Sequence, residues 1–458
     1  MSIVYIILLY INLNIFTKLC HKIWLIWTVV MKSKKIILIT VASILIISSF
    51  WIYNYLDIKF KSKKEGLTNS LSVQITRTRL KLKKNKIQKN NFYNTNLILK
   101  KFTSNRLKST GPRSYLNYYN QNLFLITGTG ILMFAPLNKI KTEKFYFKTI
   151  NTNFNDLVGE DYINSERSVV KNLLIKNNKI YVSYIKKTNN ECFTNSILVS
   201  NLNFKKIIFN EFFNINECQP FFDQQVGGNL SDYKDNKILM TIGDYLSYER
   251  QHNNNPQNMK SLIGKIISID EKTKEYKILS LGHRNAQGLY YDKDNNIIYF
   301  TEHGPQGGDE INVNIFPEKG IKNYGWAISS YGEHYGFPPK DEKLYEIAPL
   351  NKSHSEYGFI EPIKYFTPAI EPTQIIKTEK FIKIPNKNII YIGALGGDVE
   401  EGDLSVHQFV LDSDLKIEQH NIIAVNDRVR DMIYIEELNK IFLFLESSGS
   451  IGVLEIDN

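Results

Sequence analysis

The stretch 282–336 holds residues whose types and spacing could do chemistry. Its three notable strings are GHRNAQGL at 282–289, TEHGPQGGDEIN at 301–312 and NYGW at 323–326. Glycines in these strings free the backbone for tight or left-handed turns, and Asp309 and Glu310 lie beside the carbonyl groups of those turns. Hard oxygen ligands of this kind suit calcium. A long surface loop with incidental acids is the alternative, and the spacing alone leaves it open.

The elements that must position these strings recur along the chain. A polar turn containing asparagine, followed by three to six β-branched or aromatic residues, occurs at Asn122, Asn178, Asn236, Asn296, Asn388 and Asn439. Successive asparagines are 56, 58, 60, 92 and 51 residues apart, so the longest gap fits one unit plus an insertion. Nothing long and helix-periodic separates the units. The repeat predicts an all-β fold, a six-bladed β-propeller over 114–458, because a single two-sheet sandwich is smaller than this.

The three strings also carry a resemblance. Their residues and their order resemble the glucose/sorbosone dehydrogenase family, which comprises six-bladed propellers that use pyrroloquinoline quinone (PQQ). The string RVRDMIY from Arg428 is similar to the family's final-blade motif, and YFTPAIEP from Tyr365 is similar to the segment before its fifth blade. The resemblance covers roughly 114–458. It implies a calcium-dependent oxidation of an aldose or a related alcohol, with an electron acceptor that the sequence does not identify.

The resemblance implies which residues would hold the quinone. Arg284 and Asn285 match positions at its reactive side, where positive and donor groups stabilise the reduced, anionic form. Arg428 and Arg430 match residues that contact its carboxylates, which suits the guanidinium geometry. Arg430 could instead form an ion pair with Asp431 that closes the last blade.

Two calcium sites are also implied by the resemblance. The backbone carbonyls of Gly304 and Pro305 match ligands of the ion that polarises the quinone. Glu310 and Tyr324 match a second, structural site. Both sets are expected to place oxygen atoms around a hard cation.

The sequence departs from the family pattern at two positions. Gln225 stands where the family has the histidine that takes the proton from the sugar hydroxyl, and an amide cannot act as a general base near neutral pH. Gly396 stands where a lysine usually contacts the cofactor. Three hypotheses follow: an enzyme with a relocated base, a protein that binds quinone or sugar without turnover, or an interaction scaffold. His303, His334 and His354 are the candidates for a relocated base.

The N-terminal part differs in composition from the rest. The chain has 458 residues, 43% of them hydrophobic, which excludes wholesale disorder, and a formal charge of +11. Sixteen lysines and arginines against one acid lie in 59–113, and the remainder from 114 onward is net negative. The basic balance therefore describes an N-terminal segment rather than a nucleic-acid-binding body, and we expect no nucleic-acid partner.

Residues 36–56 form an uncharged, mostly apolar run of 21 residues, about 31 Å as a helix. This run predicts a transmembrane anchor, preceded by a leader over 1–35 and followed by a basic tether over 57–113. Met31 is a second possible start, and a cleaved signal peptide is the alternative to an anchor. We expect a single-pass protein of the inner (cytoplasmic) membrane with its propeller in the periplasm or outside the cell.

Two cysteines bear on the compartment. Cys192 and Cys218 lie in one stretch without a neighbouring histidine or cysteine pair that would suggest zinc. A disulfide between them fits an oxidising compartment. Two buried free thiols are the alternative.

Overall fold

The computed structural model describes residues 18, 77–82, 88–92, 95–110, 113–140, 144–188, 192–220, 222, 225–247, 253–335 and 342–457. The chain separates into two units, 1–75 and 76–458. The second unit begins with β1 (Arg77–Leu82), β2 (Gln88–Phe92) and β3 (Thr95–Thr103). The other strands and β3 form six antiparallel blades around a channel, with the last and first blades joined through β3 and β1, which confirms the predicted six-bladed propeller.

Each blade has four strands, innermost first. Blade 1 contains β4 (Ser114–Tyr119), β5 (Asn122–Thr127), β6 (Leu132–Pro136) and β7 (Lys144–Thr149). Blade 2 contains β9 (Val170–Lys176), β10 (Lys179–Lys187), β11 (Phe193–Asn201) and β13 (Asn210–Asn214). The short strands β8 (Asn151–Thr152) and β12 (Lys206–Ile207) lie before β9 and before β13, respectively. Blade 3 contains β14 (Gly227–Tyr233), β15 (Lys237–Ile242), β16 (Lys265–Asp270) and β17 (Tyr276–Leu281).

Blade 4 carries the insertion. Its strands are β18 (Ala286–Asp292), β19 (Ile297–Glu302), β20 (Asp309–Ile315) and, after the short β21 (Lys322–Asn323), β22 (Lys364–Phe366). Blade 5 contains β23 (Pro372–Lys377), β24 (Asn388–Ala394), β25 (Ser405–Leu411) and β26 (Ile417–Ala424). Blade 6 contains β27 (Val429–Ile435), β28 (Lys440–Leu445), β29 (Ser450–Ile456) and β3. We call residues 316–363, between β20 and β22, the inserted segment.

The helices are short. They are α1 (Asn105–Thr110), α2 (Leu137–Ile140), α3 (Phe154–Val158), α4 (Glu160–Glu166) and α5 (Glu342–Ile347). Within the described ranges no helix is both long and apolar enough to span a bilayer. The predicted leader and anchor, residues 1–35 and 36–56, lie outside those ranges apart from residue 18.

The recurring asparagines have a conformational reason. The connection from the first strand to the second is a tight turn in five blades and the longer segment 378–387 in blade 5, and in each a residue at or just before the recurring asparagine has a positive φ: Gln121 (56°), Asn178 (58°), Asn236 (56°), Asn296 (54°), Asn386 (59°) or Asn439 (50°). Asparagine tolerates this left-handed conformation better than most residues, because its short polar side chain bonds locally. The sequence repeat is therefore the signature of one left-handed residue used in all six connections.

The N-terminal strands close the ring. β3 pairs antiparallel with β29, from Leu97 opposite Ile456 to Thr103 opposite Ser450, and β1 pairs with β7 of blade 1. Leu97 and Leu99 are fully buried while Asn96 is exposed, the alternation of a half-buried strand. Lysines at 100 and 101 obscured this pattern in the sequence. Residues 95–103 therefore belong to the propeller, whereas we expected the whole of 57–113 to be a tether.

The blade arrangement determines where a site can form. Neighbouring innermost strands contact one another in a closed ring, β4, β9, β14, β18, β23 and β27, and all six begin at the same end of the channel. Residues that immediately precede β14, β18, β23 and β27 therefore gather at that end. We call this end the channel mouth.

The predicted disulfide is present in blade 2. Cys192, just before β11, is bonded to Cys218, which follows β13, with their Cα atoms 5.4 Å apart. The backbones of Phe193 and Gln219 exchange two hydrogen bonds of 2.7 and 2.9 Å beside it. The disulfide thus covalently fastens the outer strands of this blade.

Candidate active site

Arg284 lies at the centre of the channel mouth, just before β18. Its Nη1 donates to the carbonyl of His303 at 3.0 Å and to that of Gly304. The guanidinium carbon lies 5.4 Å from the centre of the Trp326 ring and 5.9 Å from that of Tyr335. The side chain is 4% exposed, so this cation is held by carbonyl oxygens and aromatic faces rather than by water. Residues of the strings at 282–289, 301–312 and 323–326 therefore contact one another around Arg284.

Gln225 also reaches this point. It precedes β14 with a φ of 53°, and its amide, with the oxygen directed at Arg284, lies 2.6 Å from both Arg284 Nη2 and Asp244 Oδ1. Asp244 is fully buried, and its Oδ2 accepts a 2.7 Å hydrogen bond from Trp326 Nε1. The amide thus bridges the Asp244 carboxylate and the Arg284 guanidinium. It has no lone pair basic enough to accept a proton near neutral pH.

Sequence reasoning missed Asp244. The available signal was its place directly after Gly243 at the end of an apolar strand, where a carboxylate is unusual. Its neighbour Leu246 donates a backbone 2.9 Å hydrogen bond to Oδ1, so this carboxylate is oriented from the backbone as well. A side chain at position 225 therefore has a fixed anionic partner.

Asn285, the residue after Arg284, connects blades 3 and 4 through a hydrogen bond. Its Oδ1 accepts from the backbone N–H of Gly227 at 3.2 Å and from Gln287 Nε2 at 2.8 Å. Farther down the channel, Asn229 Nδ2 donates to Gln374 Oε1 at 3.2 Å. These amide side chains form hydrogen bonds between blades in the channel, below the mouth.

His303 is the histidine candidate that lies at the mouth. Its Nε2 donates to the carbonyl of Pro372 at 2.8 Å, which leaves Nδ1 as the acceptor nitrogen. Burial, together with the smaller effects of Arg284, Arg430 and Arg428, lowers the pKa of His303 to about 3, although the hydrogen bond to Pro372 opposes this shift. The imidazole is therefore neutral in a strongly positive environment.

The other two candidate bases belong to the inserted segment. His334 Nε2 is 2.7 Å from the carbonyl of Ala348, and its ring packs edge-on against Tyr345 at 4.4 Å, both in the inserted segment. His354 Nε2 is 3.0 Å from Glu310 Oε1. Burial opposes protonation of His354, yet Glu310 raises its pKa above the ordinary value. Of the three histidines, His303 is therefore best placed to meet a ligand at the mouth.

The two predicted carboxylate-binding arginines come together at the start of β27, each beside an acid. Arg430 Nε lies 2.5 Å from Glu446 Oε2, and Arg428 Nη2 lies 3.2 Å from Glu371 Oε2. Burial opposes ionisation of Glu446, yet Arg430 holds its pKa below the usual range. The alternative pair of Arg430 with Asp431 does not form, because the Asp431 carboxylate accepts backbone N–H groups instead. Guanidinium groups near the channel are thus partly neutralised by carboxylates that a ligand's own carboxylates could replace.

The first implied calcium site offers backbone carbonyls, and the carbonyl of Gly304 already binds the Arg284 guanidinium. Gly304 and Pro305 belong to a loop that turns through positive φ at Gly307 and Gly308. Asp309 braces this loop, since its Oδ1 accepts from the backbone N–H of Gly304 at 2.8 Å. Burial raises the pKa of Asp309 to about 7. The carbonyl of Gly304 already faces the Arg284 cation, which is the donor chemistry that a calcium ion would also use.

The second implied site does not fit. Both carboxylate oxygens of Glu310 are engaged, one with His354 at 3.0 Å and the other with Asn312 Nδ2 at 2.9 Å. The hydroxyl of Tyr324 donates to the carbonyl of Val313 at 2.6 Å. Within the described part of the chain, no group of three or more histidine, cysteine, aspartate or glutamate side chains is arranged to hold a metal ion.

Gly396 differs from the family lysine for a local reason. A Cβ atom at this position would overlap with the carboxylate of Asp403, which is 4% exposed. Burial raises the pKa of Asp403, and the neighbouring Glu371 raises it further. The space that a lysine side chain would enter is therefore filled by an acid.

Comparison with known proteins decides the relationship. The sequence profile of the glucose/sorbosone dehydrogenase family matches residues 169–451, more than half of the chain. The chain belongs to this family. It is 35% identical over 130 residues to an aldose sugar dehydrogenase of Escherichia coli, covering 28% of this chain and 31% of that protein. It is 29% identical over 243 residues to an uncharacterised protein of Synechocystis, covering 48% and 53%. The chain thus spans about half or less of these relatives.

Solved structures agree on the fold. A glucose dehydrogenase superposes with a TM-score of 0.58 at 17% identity, covering 76% of this chain and 97% of that one. The apo form of the soluble aldose sugar dehydrogenase of E. coli gives 0.57 at 17%, covering 76% and 96%. The PQQ domain of a pyranose dehydrogenase from Coprinopsis cinerea gives 0.54 at 10%, covering 81% and 97%. At these identities the likeness establishes the propeller and leaves the chemistry to the site.

Proposed function

We propose that this family member binds PQQ at the channel mouth and oxidises an aldose or a related alcohol slowly. The observation that carries the proposal is the contact of Arg284 Nη1 with the carbonyl of His303 at 3.0 Å, with Arg428 and Arg430 close enough to lower the pKa of the same imidazole. A polycarboxylate quinone matches this positive environment. Gln225, in the place of the expected base, is the reason for expecting a low rate.

The roles of the chain's own residues follow from their contacts. Arg428 and Arg430 would bind ligand carboxylates in exchange for Glu371 and Glu446, since bidentate guanidinium contacts favour such anions. Arg284 would stabilise negative charge that develops at the reacting end of the site. The carbonyls of Gly304 and Pro305 would hold a calcium ion. When bound, PQQ would supply the two-electron acceptor and calcium the polarisation.

Proton transfer is the step for which the site is poorly equipped. Gln225 could accept a hydrogen bond from, or donate one to, a substrate hydroxyl, but it could not remove the proton. Nδ1 of His303 is the acceptor nitrogen, and an anionic ligand that neutralised the arginines would remove part of the shift that lowers its pKa, although burial is the larger cause. We therefore assign His303 as the candidate base of this chain.

The second candidate function is binding of quinone or sugar without turnover, and the presence of Gln225 specifically favours it. Both functions predict the same ligand affinity and differ only in rate. An interaction scaffold, by contrast, predicts no affinity for PQQ.

The test is absorbance titration of the purified full chain with PQQ, with and without calcium, followed by aldose-dependent dye reduction. Arg428→Gln/Arg430→Gln should weaken PQQ binding by about 10- to 100-fold per lost charged hydrogen bond. Lys387→Gln is the matched control, because Lys387, just before β24, forms a surface ion pair with Glu418 on β26, the outermost strand of blade 5. Absence of any PQQ binding by the wild type would leave the scaffold as the function.

We also propose that residues 36–56 anchor the protein in the inner membrane, with the propeller outside the cytoplasm. The disulfide between Cys192 and Cys218 supports this proposal, because such bonds persist in oxidising compartments. Alkaline phosphatase fused after the last residue should be active. A silent phosphatase together with an active cytoplasmic reporter at the same position would reverse the topology.

A further inference from the structure

Glu310 is paired with a histidine of the inserted segment. Glu310 lies on β20, and His354 lies in the inserted segment, 44 residues later. His354 Nε2 is 3.0 Å from Glu310 Oε1, and the two side chains are 2% and 9% exposed. The other ring nitrogen of His354 lies 2.9 Å from Ser329 Oγ. The imidazole is therefore fixed on both sides, by a carboxylate and by a hydroxyl.

The remaining space does not suit a calcium ion. A cavity of about 10 Å³ extends from Glu310 and His354 to Arg284, His303 and Gly304 of the candidate site, and it has about the room that one water molecule needs. Calcium takes six to eight oxygen ligands. Each Glu310 oxygen already has one partner, since Asn312 Nδ2 donates to the second one at 2.9 Å.

The inserted segment is what brings the histidine here. Four-stranded blades need only a short connection between their third and fourth strands, whereas residues 316–363 separate β20 from β22. Within this segment His354 also begins a short 3-10 helix, Ser355–Tyr357, and accepts the backbone N–H groups of Tyr357 and Phe359 at 3.1 and 2.9 Å. The local backbone thus presents the ring to Glu310.

We propose that His354 takes the place of a structural calcium ion as the partner of Glu310, so that the inserted segment is fastened to blade 4 without metal. A buried carboxylate needs such a partner, because an unpaired buried charge is strongly destabilising. The proposal concerns Glu310 alone and does not depend on quinone binding or on calcium at Gly304 and Pro305.

Calcium stoichiometry of the metal-stripped full chain, measured by equilibrium dialysis, tests it. Glu310→Gln should leave the number of calcium ions bound by the wild type unchanged. His354→Ala should bind one calcium more than the wild type, and the double variant Glu310→Gln/His354→Ala should lose that ion. The melting temperature of His354→Ala should rise by several degrees with calcium relative to chelator.

His334→Ala is the matched control, because it removes a second buried histidine of the same segment that contacts a carbonyl rather than a carboxylate. It should gain neither a calcium ion nor a calcium-dependent melting temperature. Loss of a calcium ion on Glu310→Gln in the wild-type background would overturn the proposal. That measurement still decides the matter if His354→Ala does not fold. A folded His354→Ala that binds no additional calcium would overturn it equally.

Discussion

Replacing Gln225 with histidine should restore a base where the chain lacks one. The Gln225 amide lies 2.6 Å from Asp244 Oδ1 and 2.6 Å from Arg284 Nη2. An imidazole in the same place could donate one N–H to the Asp244 carboxylate, which would fix its tautomer. Its other nitrogen would then be an acceptor on the side of the mouth where Arg284 lies.

The size of the gain depends on two opposing charges. A positioned general base contributes about 10²–10⁴ in rate, or about 3–5 kcal/mol of barrier. Asp244 favours the protonated imidazole, whereas the Arg284 guanidinium disfavours it. Because both partners lie at similar distances from position 225, we expect the lower end of the range, an increase of about 10² in kcat.

The assay is aldose-dependent dye reduction by the PQQ- and calcium-loaded protein, with PQQ affinity measured in parallel. Gln225→Asn is the control for a change of side chain without a base and should not increase the rate. Adding Asp244→Asn to Gln225→His should remove most of the gain, because the imidazole then loses its orienting carboxylate. If Gln225→His binds PQQ normally and is no faster than the wild type, the assignment of position 225 is wrong. A wild type that is already fast, and that slows with His303→Gln, would place the base at His303.

Three further predictions concern the scaffold and the cofactor end. A chain that begins at Ser114 lacks β3 and should be largely insoluble or melt well below the full-length protein, as circular dichroism would show; equal melting temperatures would contradict the closure of blade 6 by β3. Replacing Cys192 and Cys218 with serine should cost about 3 kcal/mol in urea unfolding, the value expected for a loop of this length, and an unchanged midpoint would contradict this. Gly396→Lys alone should lower the melting temperature, because its Cβ would overlap with Asp403. Only together with Asp403→Ala should it tighten PQQ binding. Tighter binding by the single variant would contradict the overlap.

The propeller was predictable because its signal is local. The connection between the first two strands of every blade contains a left-handed residue, and asparagine or a close equivalent marks it six times. β3 was not predictable in the same way. Its partner β29 lies more than 340 residues away in sequence, and its lysines hide the alternation of Leu97 and Leu99. Lys101 is buried nonetheless, with its Nζ 2.5 Å from the carbonyl of Val425.

The site was predictable where a motif string supplies the residue. Arg284, Gly304 and Trp326 come from three strings and do meet at the channel mouth. Single residues outside those strings could not be found, because only the folded ring brings them close. Asp244 and Glu446 are such residues, and they determine how Gln225 and Arg430 are held.

At the channel mouth, the groups that could bind an anionic ligand are present, whereas an effective base for turnover is lacking. Arg284, Arg428 and Arg430 remain, and each already contacts a carbonyl or a carboxylate that an anionic ligand could replace. The capacity to hold an anion therefore depends on groups that are present. Proton removal needs a base. Gln225 cannot act as one, and the pKa of His303 is held low by burial and by the same arginines. Binding of an anion would offset the contribution of the arginines but not that of burial, so we expect His303 to remain a weak base and the wild type to turn over slowly even when loaded with ligand.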